Sequence, residues 1–160
     1  MDLKLAQARY RFGLASGEDL AAAALELIEG GSDNPTACEL ACLHSLTLRD
    51  AGPLFERILR EMHCPELPET EAQRLVAEDV ATRVIAGLMR PRDGAAEIWE
   101  LYAQSGNPEH LWPSAELRYA YDDDWPGYPG GRAAYNVEID KQVVEAFREL
   151  LANRLPSRAC

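Results

Sequence analysis

Val76, Val80, Val84 and Leu88 recur every four residues, with Ala77, Ala81 and Ile85 beside them. Apolar positions at that spacing line one face of an α-helix, whereas a half-buried strand would alternate every second residue. The same period returns along most of the chain. Leu3, Ala6, Tyr10 and Leu14 mark a first helix, Leu54, Ile58 and Met62 with Phe55 and Leu59 a fourth, and Ile139, Val143, Phe147 and Leu150 the last. Strand-period alternation is almost absent, so the expected fold class is all-α, an irregular helical bundle of about seven or eight helices.

Local punctuation places the ends. Ser16-Gly17-Glu18-Asp19 has the Ser-x-x-acid form of a capping box and opens a second helix through Ala21–Ala24 to Ile28, which Gly30-Gly31 stops. Asn34-Pro35 pairs a capping side chain with a proline in the first turn and starts a short third helix to about Leu43. His63-Cys64-Pro65 closes the fourth helix. Pro91 opens a sixth, in which Ala95, Ile98, Trp99 and Tyr102 are expected to face the core until Gly106-Asn107-Pro108. From Trp112 to Gly131, prolines 113, 126 and 129 predict irregular chain, with Ser114 to Tyr121 as the one short helical stretch. The connections are short and no solenoid-period repeat occurs. The expectation is a single helical domain over 1–160, with 155–160 a frayed tail beyond Leu150.

Charge narrows the partners. The 160 residues carry a net charge of −11, which disfavours nucleic acid and anionic membrane surfaces, since both require an excess of Lys and Arg. No charged-then-apolar leader precedes the first helix, and no apolar run reaches the length of a span, so the chain is expected in the cytoplasm. There, the four cysteines at 38, 42, 64 and 160 are expected to be thiols.

Catalytic patterns are missing from the sequence. It has no Gly-x-Ser-x-Gly, phosphate-binding loop, dinucleotide glycine pattern or His-Glu-x-x-His. Cys38-x3-Cys42-x-His44 is not a zinc spacing, and apolar packing of the two thiols on the third helix is expected instead. Glu26-x-x-Glu29 and Glu97-x-x-Glu100 lack the histidine that di-iron bundles place three residues after a glutamate. No metal, no cofactor and no catalytic residue is assigned.

The informative feature is regional. Residues 93–124 hold eight acids (Asp93, Glu97, Glu100, Glu109, Glu116, Asp122, Asp123 and Asp124) against Arg118, a net −7, while the first 92 residues sum to −5 and the last 36 to +1. All three tryptophans lie in that stretch or one residue beyond it, with Tyr102, Tyr119, Tyr121 and Tyr128 close by. Tryptophan and tyrosine dominate binding hot spots, and acids steer basic partners. The candidate partner-binding set is Trp112, Glu116, Tyr121, Asp122, Asp123, Asp124, Trp125 and Tyr128, with Trp99 and Tyr102 assigned to the core. Two descriptions of the set stand side by side: a binding surface, or core aromatics beside a solvated acidic face.

Several stretches carry a family likeness: Ala8-Arg9-Tyr10-Arg11-Phe12-Gly13-Leu14 with Ser16-Gly17-Glu18, Gly52-Pro53-Leu54-Phe55-Glu56, Gly94-Ala95-Ala96-Glu97-Ile98-Trp99, and Tyr121-Asp122-Asp123-Asp124. They resemble a family of small, acidic, all-helical bacterial proteins of unassigned function, some of them similar to immunity proteins of toxin systems. The resemblance spans nearly the whole chain. It implies a protein-binding module that neutralises a cognate toxin through an acidic, aromatic surface, hence a basic protein partner and no enzyme. Two alternatives remain at this level: an enzyme or metal-dependent hydrolase with an acidic site assembled around Asp122–Asp124, and an adaptor in a larger assembly.

Overall fold

The computed structural model describes residues 1–44, 47–123 and 128–152. Among the described residues every regular element is helical and no strand forms. The order is α1 (Leu3–Arg11), α2 (Gly17–Glu29), α3 (Pro35–Ala41), α4 (Leu48–Glu61), α5 (Glu69–Ile85), α6 (Pro91–Gln104), a 3-10 turn (Glu109–Leu111), α7 (Trp112–Ala115), α8 (Leu117–Ala120) and α9 (Gly131–Ala152). This is an all-α helical bundle. Backbone contacts gather into two compact units, Met1–Ala72 and Gln73–Cys160. The tail 155–160 lies outside the described residues. No helix among them is long and apolar enough to cross a membrane.

In the first unit, side-chain caps hold the helix starts by accepting otherwise unpaired amide protons. Asp2 accepts from the Leu5 amide at 2.9 Å, Asn34 from Ala37 at 2.8 Å and Thr47 from Asp50 at 3.3 Å. Ser16 and Asp19 form the reciprocal box expected from the sequence, at 3.1 and 2.9 Å. Gly31, at φ +90°, ends α2 in the left-handed region that glycine enters without a Cβ penalty. Helix α2 packs on α1, α3 and α4, and α3 packs on α4. Leu20, Leu40, Phe55 and Ile58 fill the centre, while Ala6, Ala23, Ala24, Ala37 and Ala51 let the helices approach closely.

Two expectations change in this unit. Helix α4 begins at Leu48, ahead of the apolar run that starts at Leu54, because Thr47 caps it and Pro53 is tolerated inside at the loss of one amide donor. Cys38 and Cys42 are both exposed rather than packed: the inward face of α3 is Thr36, Ala37 and Leu40.

In the second unit, Val76, Ala77, Val80, Ala81 and Val84 of α5 are buried as their period requires. Leu88 does not continue the stripe and is 77% exposed. Helix α5 stops at Ile85, Gly87 turns the chain at φ +72°, and the Leu88 amide donates back to the Arg83 carbonyl at 2.8 Å. The inward face of α6 is Gly94, Ala95, Ile98 and Leu101, and that of α9 is Ile139, Val143 and Phe147. Helix α6 packs against α7, α8 and α9. The short helical stretch expected from Ser114 to Tyr121 is present as α7 and α8, and it starts two residues earlier, at Trp112. Pro113 sits in the first turn of α7, where its missing N–H costs nothing, and Glu116 joins α7 to α8 with helical angles of φ −60° and ψ −27°.

Candidate functional site

Helix α6 and the α7–α8 pair bring four aromatic rings together in the second unit. Trp99 and Tyr102 lie one turn apart on α6, beside its buried face rather than within it, which corrects their assignment to the core. The Trp99 ring meets Tyr102 at 5.6 Å, Trp112 at 6.5 Å and Tyr119 at 4.7 Å between centroids, and Tyr102 meets Trp112 at 5.4 Å. Ring spacings of about 4.5–7 Å with tilted or edge-on planes are direct aromatic contacts. Yet the cluster is not interior: Trp112 is 39% and Tyr119 49% exposed.

The exposed side of α7–α8 has its own order. Trp112, Glu116, Tyr119 and Asp123 follow at i, i+4, i+7 and i+11, and all four are exposed. The backbone keeps that register: the Glu116 amide donates to the Trp112 carbonyl at 2.9 Å, and the Asp123 amide to the Tyr119 carbonyl at 3.2 Å. Residues three and four apart share a helix face, so ring, carboxylate and ring alternate in a line along α7 and α8, with Asp123 three residues beyond the end of α8. Trp99 and Tyr102 support the line from behind. Tyr119, Trp99 and Tyr102 were absent from the candidate set, although the spacing from Trp112 would have found Tyr119 had Pro113 been read as starting a helix.

The other candidates fall elsewhere. Tyr121 is 2% exposed and offers no surface to a partner, which corrects its place in the set. Its hydroxyl donates to Asp140 on α9 at 2.6 Å, and the Arg92 guanidinium lies 5.6 Å from its ring centroid. Burial first, and then the bond to Asp140, push its hydroxyl pKa far above the usual value for tyrosine. Tyr121 is a structural tie. Tyr128 is half-buried and packs on Tyr135 at 5.3 Å. Asp124 and Trp125 lie outside the described residues.

Ion pairing reduces the acidic field that residues 93–124 suggest. Asp93 is held by Arg90 at 2.7 and 3.0 Å, and Asp122 by Arg118 and by Arg92 at 3.7 Å. Arg90 and Arg92 lie just upstream of the acidic window, so counting within it overstates the charge. Glu100, Glu109, Glu116 and Asp123 are exposed. Among the described residues no group of three or more His, Cys, Asp or Glu side chains is placed to hold a metal ion.

A concavity of about 330 Å³ opens in the same unit, lined by Arg74, Glu78, His110, Ser114, Glu149 and Leu150 among others. Arg74 is bound to Glu78 at 2.8 Å. Partial burial lowers the His110 pKa below its usual value. A cleft this size sits at the lower edge for small-molecule sites.

No family model matches this sequence, and neither a curated protein nor a solved structure matches it.

Proposed function

We propose that the protein is a binding module that engages a basic protein partner through Trp112 and Tyr119, backed by Trp99 and Tyr102 and flanked by Glu116 and Asp123. The observation that supports this most is the exposure of Trp112 and Tyr119, at 39% and 49%, within a cluster of four touching rings. Large rings left at the surface are the residues whose burial contributes most at interfaces, and their contacts with Trp99 and Tyr102 limit the side-chain entropy lost on docking. The two carboxylates favour a positively charged partner and speed its encounter. The sequence resemblance supplies the finer form of the proposal: a cytoplasmic immunity protein whose partner is a cognate toxin domain.

A photoreactive phenylalanine analogue in place of Tyr119 tests the reading in the cells that make the chain. It should capture one basic protein, and Trp112→Ala should lower that capture. The same analogue at Val137, 54% exposed on α9, should capture none. Equal capture from both positions, or capture of an acidic protein at 119, overturns the proposed surface. If the captured protein arrests growth when expressed alone and the full chain restores growth, the toxin-neutralising form stands. A captured protein with no effect on growth refutes that form and leaves the binding module in place.

A further inference from the structure

Resting on that reading, we infer that the surface recognises arginine side chains specifically: guanidinium groups of the partner stack on the outer faces of Trp112 and Tyr119 and pair with Glu116 between them. Three observations carry this.

The first is spacing. At about 1.5 Å of rise per residue, Glu116 stands roughly 6 Å along the axis from Trp112 and Tyr119 roughly 4.5 Å further. A guanidinium on either ring therefore reaches the same carboxylate. Among the described residues Glu116 forms no ion pair, and no cation lies over Trp112 or Tyr119.

The second is the closeness of the rings. Centroids at 4.7–6.5 Å are already in contact, which leaves no space for a cation between them. A quaternary or methylated ammonium, which is bound by enclosure in an aromatic cage, has no cage here. A planar, weakly hydrated guanidinium needs only one open ring face and offers a two-pronged edge to a carboxylate. A lysine ammonium is compact and strongly hydrated, and gains less at such a place.

The third is that the chain already builds this arrangement with its own residues. Arg92 lies 5.6 Å from the Tyr121 ring centroid and 3.7 Å from the adjacent Asp122 carboxylate. Tyr121 and Asp122 follow directly after α8. On the exposed line of α7 and α8, Trp112, Glu116 and Tyr119 present the same pairing of ring and carboxylate to solvent.

Capped peptides of alternating glycine and arginine, or glycine and lysine, provide the probe, titrated against the full chain by tryptophan fluorescence and by the Trp112 indole proton signal. The arginine peptide should bind about tenfold more tightly than the lysine peptide of equal charge, the difference expected from stacked guanidinium contacts. Trp112→Ala and Tyr119→Ala should each lower arginine-peptide affinity several-fold and narrow the preference. Trp112→Phe should retain most of it. Glu116→Gln should weaken both peptides and flatten the salt dependence. Circular dichroism checks the fold of each variant; both rings are substantially exposed, so neither truncation opens a core cavity. Equal affinity for the two peptides, with binding still dependent on Trp112, overturns the arginine preference while the basic-partner reading stands. Peptide binding that leaves the Trp112 signal unmoved also overturns it, and the cross-link from position 119 then decides the wider reading separately.

Discussion

Gly94 offers the sharpest test of how the second unit is packed. It is the fourth residue of α6, already inside the helical hydrogen-bond ladder, where replacing glycine by alanine normally stabilises by up to about 1 kcal/mol through backbone entropy. Here a methyl added at Gly94 would stand 2.4 Å from Val84 Cγ2, 3.0 Å from Phe147 Cε2 and 3.5 Å from Val80 Cγ1. Carbon pairs rest at roughly 3.5–4.0 Å, so the new methyl overlaps Val84 by more than 1 Å and Phe147 by about half that. Neither neighbour moves easily. Val84 is β-branched and strongly prefers one rotamer in a helix, and Phe147 has no exposed surface. Overpacking of this kind costs about 1–3 kcal/mol. Taking the upper end and subtracting the helix gain leaves Gly94→Ala destabilised by about 2 kcal/mol, or a fall in Tm on the order of 10 °C for a unit of this size.

All three tryptophans belong to the second unit, so tryptophan fluorescence in urea reads that unit's unfolding directly. Val84→Ala alone leaves a cavity and is also destabilising. In the double variant the new methyl occupies part of the space Val84 vacated. The two losses should therefore add to less than their sum, by about 1–2 kcal/mol. A Gly94→Ala protein at or above wild-type stability would refute the packing of α6 against Val84 and Phe147. Strict additivity in the double variant would refute the same contact by an independent route.

Ser16→Ala removes the capping box of α2 and should cost about 1 kcal/mol, seen as a lower urea midpoint by circular dichroism and faster hydrogen exchange at the Asp19 amide. Tyr121→Phe should destabilise by roughly 1–2 kcal/mol through loss of the 2.6 Å bond to Asp140. Because the folded-state pKa of Tyr121 is raised, its hydroxyl's stabilisation is full below the ordinary tyrosine pKa of about 10 and is lost as pH rises beyond it, so Tyr121→Phe should reduce the alkaline fall in Tm. Wild type and variant losing stability equally above that pH would show that the hydroxyl does not carry the effect. Val80→Asp places an unpaired charge at a fully buried position of α5 and should unfold the second unit, with wild-type fluorescence melting as the contrary result.

Most helix positions were readable because their causes are local. The capping residues Ser16 and Asn34 act within one turn of the helices they start, as do Gly30 and Gly31 at the end of α2, and four-residue periodicity places Val76, Val80 and Val84 on one face whatever that face meets. Leu88 was misread although its cause is also local: the four-residue pattern runs on past Gly87, whose left-handed backbone ends the helical path one residue before Leu88.

The candidate site was only partly readable. The acidic, aromatic stretch pointed to Trp112 and Glu116, but the fates of the other side chains depend on neighbours distant in sequence. Tyr121 is buried because Arg92 from α6 and Asp140 from α9 meet it. Asp122 is paired by Arg118, four positions earlier, and again by Arg92, thirty positions upstream, which only the packing of α6 beside α8 supplies. Trp99 and Tyr102 sit at a helical spacing that suits a core equally well, and which side of α6 became interior was decided by where Val84 and Phe147 meet Gly94. A helical period determines which side chains share a face. Burial and charge pairing belong to the elements that arrive against that face, and those are selected by packing across the chain rather than by local sequence.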